Sequence, residues 1–178
     1  TQTAEWLVKH QNEDGSWYRA YNTDESVFDS TKGMTVSAIR FLVQLYLVTG
    51  DIRYRETALK AGEFSYGSVY KKMDYVGGTC DNGGVLDKEA GIYAMFGFLA
   101  LYDLMGEKKW LEAARGAADY TETWTMKWSY PVYVTIHPHS FETRDLTGQS
   151  FIATGHSAID MYMAACSYTY YRLYLLTG

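Results

Sequence analysis

Cysteines and long apolar runs are scarce in this sequence, and each shortage excludes a class of protein. The 178 residues contain two cysteines, Cys80 and Cys166, which are too few for a disulfide framework and are more simply interpreted as buried thiols. The longest run without a polar or charged residue, Ala90 to Tyr102, has thirteen residues. It falls short of the roughly 20 residues that cross a bilayer, so we expect no membrane span.

Basic clusters and metal-ligand spacings are also missing. The net charge is -5 and the lysines and arginines are dispersed, which argues against a nucleic-acid partner. His137 and His139 lie in one loop, and Cys80, Asp81 and His156 do not have the spacing of a zinc site. We therefore predict no metal and no other cofactor.

Two consecutive helices of different character form the unit around which the chain is organised. Ala90 to Tyr102 has no polar face and is predicted to be a helix buried on every side, ending at Met105-Gly106. Apolar residues then recur at helical spacing from Trp110 to Trp124, with charged residues between them. The pattern predicts an inner, buried helix followed by an outer, half-exposed one.

This helical hairpin recurs along the chain. Moved back by 56 residues, Tyr102 and Gly106 fall on Tyr46 and Gly50; moved forward by 72, they fall on Tyr174 and Gly178. Such self-similarity indicates a repeat architecture, in which no unit buries its apolar face alone. We predict about three hairpins. The first helix, Thr3 to Gln11, is an outer helix capped by Thr3. The others are Val36 to Thr49, Ile52 to Tyr70, Lys88 to Met105, an outer helix that ends near Trp124, and 155–176.

Three long segments precede the predicted inner helices: Arg19 to Thr35, Lys71 to Asp87, and Lys127 to Thr154, the last with a short strand at Val132 to Ile136. The links from inner to outer helix are minimal by comparison. The long loops should therefore gather at the N-terminal ends of the inner helices, where exposed N–H groups favour anionic groups. A loop of 28 residues within a domain is usually either functional or disordered. Its aromatic residues and histidines favour function, so we place the site at that end.

The turn motifs resemble those of the six-hairpin glycosidase superfamily of (α/α)6 toroids, which includes glycoside hydrolases and, in related toroids, polysaccharide lyases. Asp14-Gly15-Ser16-Trp17, Leu45 to Asp51 with Arg53-Tyr54, Tyr102 to Trp110 and Tyr174 to Gly178 carry the resemblance. It implies an all-α fold, an α/α toroid fragment in which residues 1–178 form a single domain excised from a larger barrel. It also implies a carbohydrate substrate, a periplasmic or secreted location, and an isolated fragment that is inactive. Because an open arc of hairpins leaves apolar flanks without neighbours, we further expect self-association through these exposed flanks.

Glycoside hydrolysis needs two carboxyl groups whose surroundings separate their pKa values. Asp160 is the leading candidate, because an acid on a predicted inner helix lines a cavity or has a partner, and His156 lies one turn before it. Asp87 and Glu89 open the central inner helix after a glycine-rich loop. The alternative is that Asp87 caps this helix, that Glu89 sits in its first turn, and that His156 and Asp160 form a structural hydrogen bond.

Polar and aromatic loop residues are the candidates for substrate binding. Aromatic rings with a polar tip suit a wet, concave surface, and aromatic residues make up 16% of the chain. Burial in the core is the alternative for each ring. The predicted substrate-binding residues are Asp81, Asn82, Trp17, Trp128, Tyr130, His137 and His139.

Three other functions fit parts of the sequence. A toroid-type polysaccharide lyase would use a Tyr with a His or Asn. An isoprenoid cyclase or prenyltransferase is suggested by Trp6-Leu7, Gln11 and Gly15-Ser16-Trp17, but this motif occurs once and no DxDD acid motif is present. A non-catalytic glycan-binding scaffold would have scattered rather than converging carboxylates.

Overall fold

The computed structural model describes residues 1–79, 82–127, 147–154 and 162–178, together with the backbone of 159–160. This part of the chain is mostly helical, which confirms the all-α class. Its α-helices are α1 Gln2–His10, α2 Ile39–Thr49, α3 Ile52–Ser65, α4 Lys88–Met105, α5 Lys108–Glu122, α6 Tyr162–Ala165 and α7 Ser167–Thr177. Short strands form two antiparallel pairs, β1 Ala20–Tyr21 with β2 Val27–Asp29, and β3 Ser150–Phe151 with β4 Ile159–Asp160.

The central hairpin has the two predicted kinds of helix. Within α4, the apolar run is buried almost throughout, and Tyr93 is the one large side chain of this helix that is clearly exposed. The outer helix α5 buries one face, on which Trp110 is 1% exposed and lies 6.1 Å from the Phe98 ring of α4. Helix α4 is therefore the centre of the hydrophobic core.

The internal repeat is visible in the backbone at the ends of α2, α4 and α7. The N–H groups of Gly50, Gly106 and Gly178 donate to the carbonyls of Tyr46, Tyr102 and Tyr174, respectively, at 2.8, 2.8 and 2.9 Å. All three glycines have positive φ angles of 68° to 89°, a conformation that costs glycine little and other residues more. The Tyr to Gly spacing found in the sequence thus corresponds to one repeated helix ending.

The helices pack in the order expected of a two-layer arrangement. Helix α2 packs against α3 and α4, and α4 packs against α5. Helix α7 joins α4 through the ion pair of Arg172 with Asp103 and joins α5 through a hydrogen bond from Tyr170 Oη to the Ala118 carbonyl. Helix α1 contacts α3, where Tyr54 Oη donates to Glu5 at 2.7 Å. Closure of such units into a toroid stays a prediction.

Several predicted boundaries are wrong. Thr1 rather than Thr3 caps α1, and its Oγ1 accepts from the Ala4 N–H at 3.3 Å. The predicted first inner helix begins as a 3₁₀ helix, Gly33–Ala38, and the helix α3 ends in a π turn, Tyr66–Tyr70. The predicted helix 155–176 is wrong in its first part, because Ile159–Asp160 pairs as a strand with β3. Its second part is divided at Cys166 into α6 and α7.

Exposed apolar side chains occur on two flanks of this arrangement. On α7, Tyr168, Tyr171, Tyr174 and Leu175 are more than half exposed, and on α2 so are Leu47 and Val48. Self-association through these flanks stays a prediction. Within the described ranges, none of the helices combines the length and apolar character needed to cross a bilayer. Cys166 is buried, whereas Cys80 and the predicted strand Val132 to Ile136 lie outside the described residues.

Candidate functional site

Three of the loops meet at the start of α4. From the first loop, the Arg19 guanidinium donates to the carbonyls of Gly77 and Thr79 in the glycine-rich loop, and it pairs with Asp29 at 2.9 Å. From the third loop, the Ile152 carbonyl accepts from the backbone N–H of Lys88 at 2.9 Å. We call Asp87, Lys88, Glu89, Ser150 and the backbone of Asp160 the α4 N-terminal site.

Asp87 is the N-cap of α4 and is completely buried. Its Oδ1 accepts from the Ala90 N–H and its Oδ2 from the Gly78 N–H, both at 2.7 Å. A Cβ on Gly78 would lie 2.4 Å from Asp87 Oδ1, so only glycine allows the loop to approach this closely. The capping alternative for Asp87 is therefore confirmed, and in this conformation its carboxyl group does not reach a substrate.

Lys88 contributes a buried cation that the sequence reasoning missed. Its side chain is fully buried, and Nζ donates to Ser150 Oγ at 2.8 Å and lies 5.7 Å from the centre of the Tyr162 ring. A buried ammonium is costly unless polar partners surround it. A lysine in the first turn of a helix is also disfavoured by the helix dipole. This unfavourable position is the feature of the sequence that could have marked Lys88 as unusual.

The two other candidate acids lie at the same place. Glu89 follows in the first turn of α4 and is half-buried. The backbone of Asp160 pairs with that of Ser150, whose hydroxyl accepts from Lys88. The backbone of residue 160, which is distant in sequence, is thus brought to the helix end that carries residues 87 and 89.

The predicted basis for pairing His156 with Asp160 is wrong. Asp160 lies in strand β4 and not on a helix, so the spacing of four residues no longer places the two on one helical face. The outcome for Asp160 itself is different, because the β3 and β4 pairing still brings its backbone to the α4 N-terminal site. His156 lies outside the described residues.

Two stacked tyrosines form the inner wall of this region. The rings of Tyr75 and Tyr120 lie 4.2 Å apart, and Tyr120 Oη donates to the Asp87 carbonyl at 3.0 Å. Burial, with a smaller contribution from nearby carboxylates, raises the pKa of Tyr120 to about 12, and burial also raises the pKa of Tyr75. Both phenols therefore hold their protons more tightly than an exposed tyrosine does.

The predicted substrate-binding residues have separate outcomes. Asn82 is exposed and its Oδ1 accepts from the Gly84 N–H at 3.0 Å, which orders the glycine-rich turn. Trp17 is 5% exposed and its Nε1 donates to the Leu7 carbonyl at 2.9 Å, so its ring belongs to the core and is not free to stack on a sugar. The remaining predicted residues lie outside the described residues and stay predictions: Asp81, Trp128, Tyr130, His137 and His139.

The two aspartates that cap helices are expected to respond to pH in opposite directions. Burial raises the pKa of Asp87 above its ordinary value of 3.8 despite the opposing backbone hydrogen bonds, whereas the hydrogen bond from Arg53 lowers the pKa of Asp51, the cap of α3. A raised pKa means that the folded state binds the proton more tightly, so stability is lost as pH rises through that pKa. A lowered pKa means that stability is lost as pH falls through it.

We therefore expect the free energy of unfolding of the native protein, minus that of Asp87→Asn, to decrease with pH. The free energy of unfolding of the native protein, minus that of Asp51→Asn, should instead increase with pH. Urea unfolding followed by circular dichroism at several values between about pH 3 and pH 6 measures both slopes. Slopes of the same sign would contradict the opposite pKa shifts of Asp87 and Asp51.

Comparison with protein-family models, with curated proteins and with solved structures gives no match to this chain. The described residues also contain no group of three or more His, Cys, Asp or Glu side chains arranged to hold a metal ion.

Proposed function

We propose that this chain is a carbohydrate-active protein that hydrolyses glycosidic bonds at the α4 N-terminal site. The observation that supports the proposal is the meeting of Asp87, Glu89 and the backbone of Asp160 at the end of one helix, beneath loops from three parts of the chain. Glycoside hydrolysis requires two carboxyl groups on either side of the scissile bond, and we propose that this helix end supplies them. The resemblance to six-hairpin glycosidases points to the same chemistry.

Within this proposal, Glu89 and Asp160 form the reacting pair and Asp87 is a positioning residue. Asp87 is buried and both of its oxygens accept backbone hydrogen bonds, so it orients the start of α4 and with it Glu89. Glu89 is half-buried within the first turn of α4, so part of its side chain remains exposed to solvent.

The buried ammonium of Lys88 suggests how the two roles divide. It donates to Ser150, whose backbone pairs with that of Asp160, and we propose that its positive charge favours the ionised form of the Asp160 carboxyl group. We therefore assign the base or nucleophile to Asp160 and the general acid to Glu89. The acid protonates the leaving glycosidic oxygen, while the ionised carboxylate either activates a water molecule or attacks the sugar carbon.

A second candidate function is glycan binding without cleavage. The observation that favours it is the complete use of the Asp87 carboxylate in capping, which leaves Glu89 as the accessible carboxylate of the described part of this site. A binding module needs hydrogen-bond partners for sugar hydroxyls but no matched pair of carboxyl groups.

A panel of oligosaccharides tests the proposal and separates these functions. Because the resemblance predicts that the isolated chain is inactive, we expect at least one neutral or acidic oligosaccharide to bind this chain in calorimetry and, in an active preparation, to release new reducing ends on incubation. Release of an unsaturated product that absorbs ultraviolet light would instead identify a lyase, and binding with no new reducing ends would identify a binding module. If no oligosaccharide in the panel binds or is cleaved, the carbohydrate proposal is wrong.

A further inference from the structure

We propose that a groove between α2, α4 and α7 binds the carboxylate group of a small acidic ligand. This three-helix groove has a volume of about 200 Å³, and its polar and aromatic lining includes Arg40, Gln44, Phe96, Asp103, Tyr168 and Arg172. It is separate from the α4 N-terminal site. Asp103 lies sixteen positions after Asp87 in α4, which corresponds to roughly 24 Å along a helix.

One of the two guanidinium groups in the groove already binds a carboxylate. Arg172 of α7 donates from both terminal nitrogens to the two oxygens of Asp103 in α4, at 2.8 and 2.7 Å. This two-point contact is the geometry in which arginine binds carboxylates most strongly. The ion pair shows that the groove accommodates a carboxylate. Because Asp103 neutralises Arg172, a ligand would need a second cation.

The second guanidinium is held in place without a carboxylate partner. Arg40 of α2 lies over the Phe96 ring of α4, with its guanidinium carbon 4.9 Å from the ring centre. Among the described residues it forms no ion pair, and its side chain is exposed. Stacking on an aromatic ring uses the flat face of a guanidinium and leaves the N–H groups on its edge free to donate. Arg40 is therefore prearranged to receive an anion.

The charges and hydrogen-bonding groups fit a carboxylate rather than a doubly charged phosphate. The two arginines and Asp103 sum to one positive charge, which balances one carboxylate. Gln44 and the Tyr168 hydroxyl lie at the same groove and can donate further hydrogen bonds. In a chain of net charge -5, this is a local positive region suited to an anion.

Succinate and galacturonate are suitable probes, because they carry the same carboxylate chemistry on a simple organic acid and on an acidic sugar. Their neutral counterparts are succinamide and galactose. In titrations of the 15N-labelled chain, we expect saturable shifts of the backbone amides of Arg40, Gln44 and Arg172 with at least one acid and with neither neutral compound. Tighter binding of succinate would identify an organic acid, and tighter binding of galacturonate would identify an acidic sugar. The absence of shifts with both acids would overturn the proposal.

Variants of the groove provide the decisive comparison. Arg40→Gln should weaken binding of the better probe by about tenfold or more, because a hydrogen bond to a charged group is lost. Lys108→Gln removes the same charge from an exposed position of α5 and should leave affinity unchanged. Asp103→Asn should tighten binding severalfold, since it frees Arg172 for the ligand.

Equal affinity of Arg40→Gln and the native chain would contradict the proposal, as would weaker binding by Asp103→Asn. Thermal unfolding followed by circular dichroism checks that each variant is folded. If Arg40→Gln does not fold, Arg40→Lys keeps the charge but removes the planar fork. It should still bind the probe several times more weakly than the native chain, and unchanged affinity would again overturn the proposal.

Discussion

Replacing Glu89 with Gln is expected to lower cleavage of a cognate glycan by about 10² to 10⁴ fold in an active preparation, the range for loss of a general acid or base. Gln keeps the size of the side chain but cannot donate a carboxylic proton to the leaving oxygen. Asp160→Asn should have an effect of similar size, because Asn cannot activate water or act as the nucleophile. Rates of reducing-end release at saturating substrate measure both effects.

Glu112→Gln is the matched control for the glutamate. Glu112 is exposed on the outer helix α5, so its replacement should leave the rate unchanged. Unfolding curves of all three variants should resemble that of the native protein. Near-normal cleavage by both site variants would refute the paired-carboxylate assignment and transfer attention to His137 and His139, as a lyase would require.

Replacing Trp17 with Ala is expected to destabilise the protein by about 3 to 5 kcal/mol, the usual cost of removing a large aromatic side chain from a packed core. Trp17 is 5% exposed, its Nε1 donates to the Leu7 carbonyl of α1, and its backbone N–H donates to Thr35 Oγ1 at 3.1 Å. Through its ring and its backbone N–H, Trp17 therefore joins α1 to the 3₁₀ helix before α2. Urea unfolding measures the loss.

Two further variants show whether the ring or the hydrogen bond matters. Trp17→Phe retains most of the apolar contact but leaves the Leu7 carbonyl without its donor, and should cost only about 1 to 3 kcal/mol. Tyr171→Ala removes an aromatic ring that is 58% exposed on α7, and should change stability by no more than about 0.5 kcal/mol. An unchanged melting temperature of Trp17→Ala would show that its ring adds nothing to the core.

The central hairpin could be predicted closely because its signals are local. The apolar run of α4, the spacing of buried residues on α5, and the glycines that end α2, α4 and α7 each act within a few residues. A glycine that follows the last turn of a helix ends it through hydrogen bonds within a few residues, so the Tyr to Gly repeat could be found without any knowledge of the fold. The position of the loops followed from the same reasoning, since they all precede inner helices.

The candidate site could be predicted only in part. Asp87 and Glu89 were found because they open a helix, but the sequence left open whether Asp87 reacts or caps. That choice depends on burial and on the Gly78 N–H, which reaches Asp87 Oδ2 from the neighbouring loop. Lys88 was missed because its partner, Ser150, is 62 residues away. No local pattern contains such a contact.

By itself, the sequence determined the helical class and the repeated hairpin ending in Tyr and Gly, because periodicity and glycine stops act over a few residues. Only the tertiary structure decided that Asp160 lies on a strand, that Trp17 belongs to the core, and that Arg40 faces a groove with Arg172. Strand pairing, burial and charge balance depend on segments distant along the chain, and their free energies can override local helical preference.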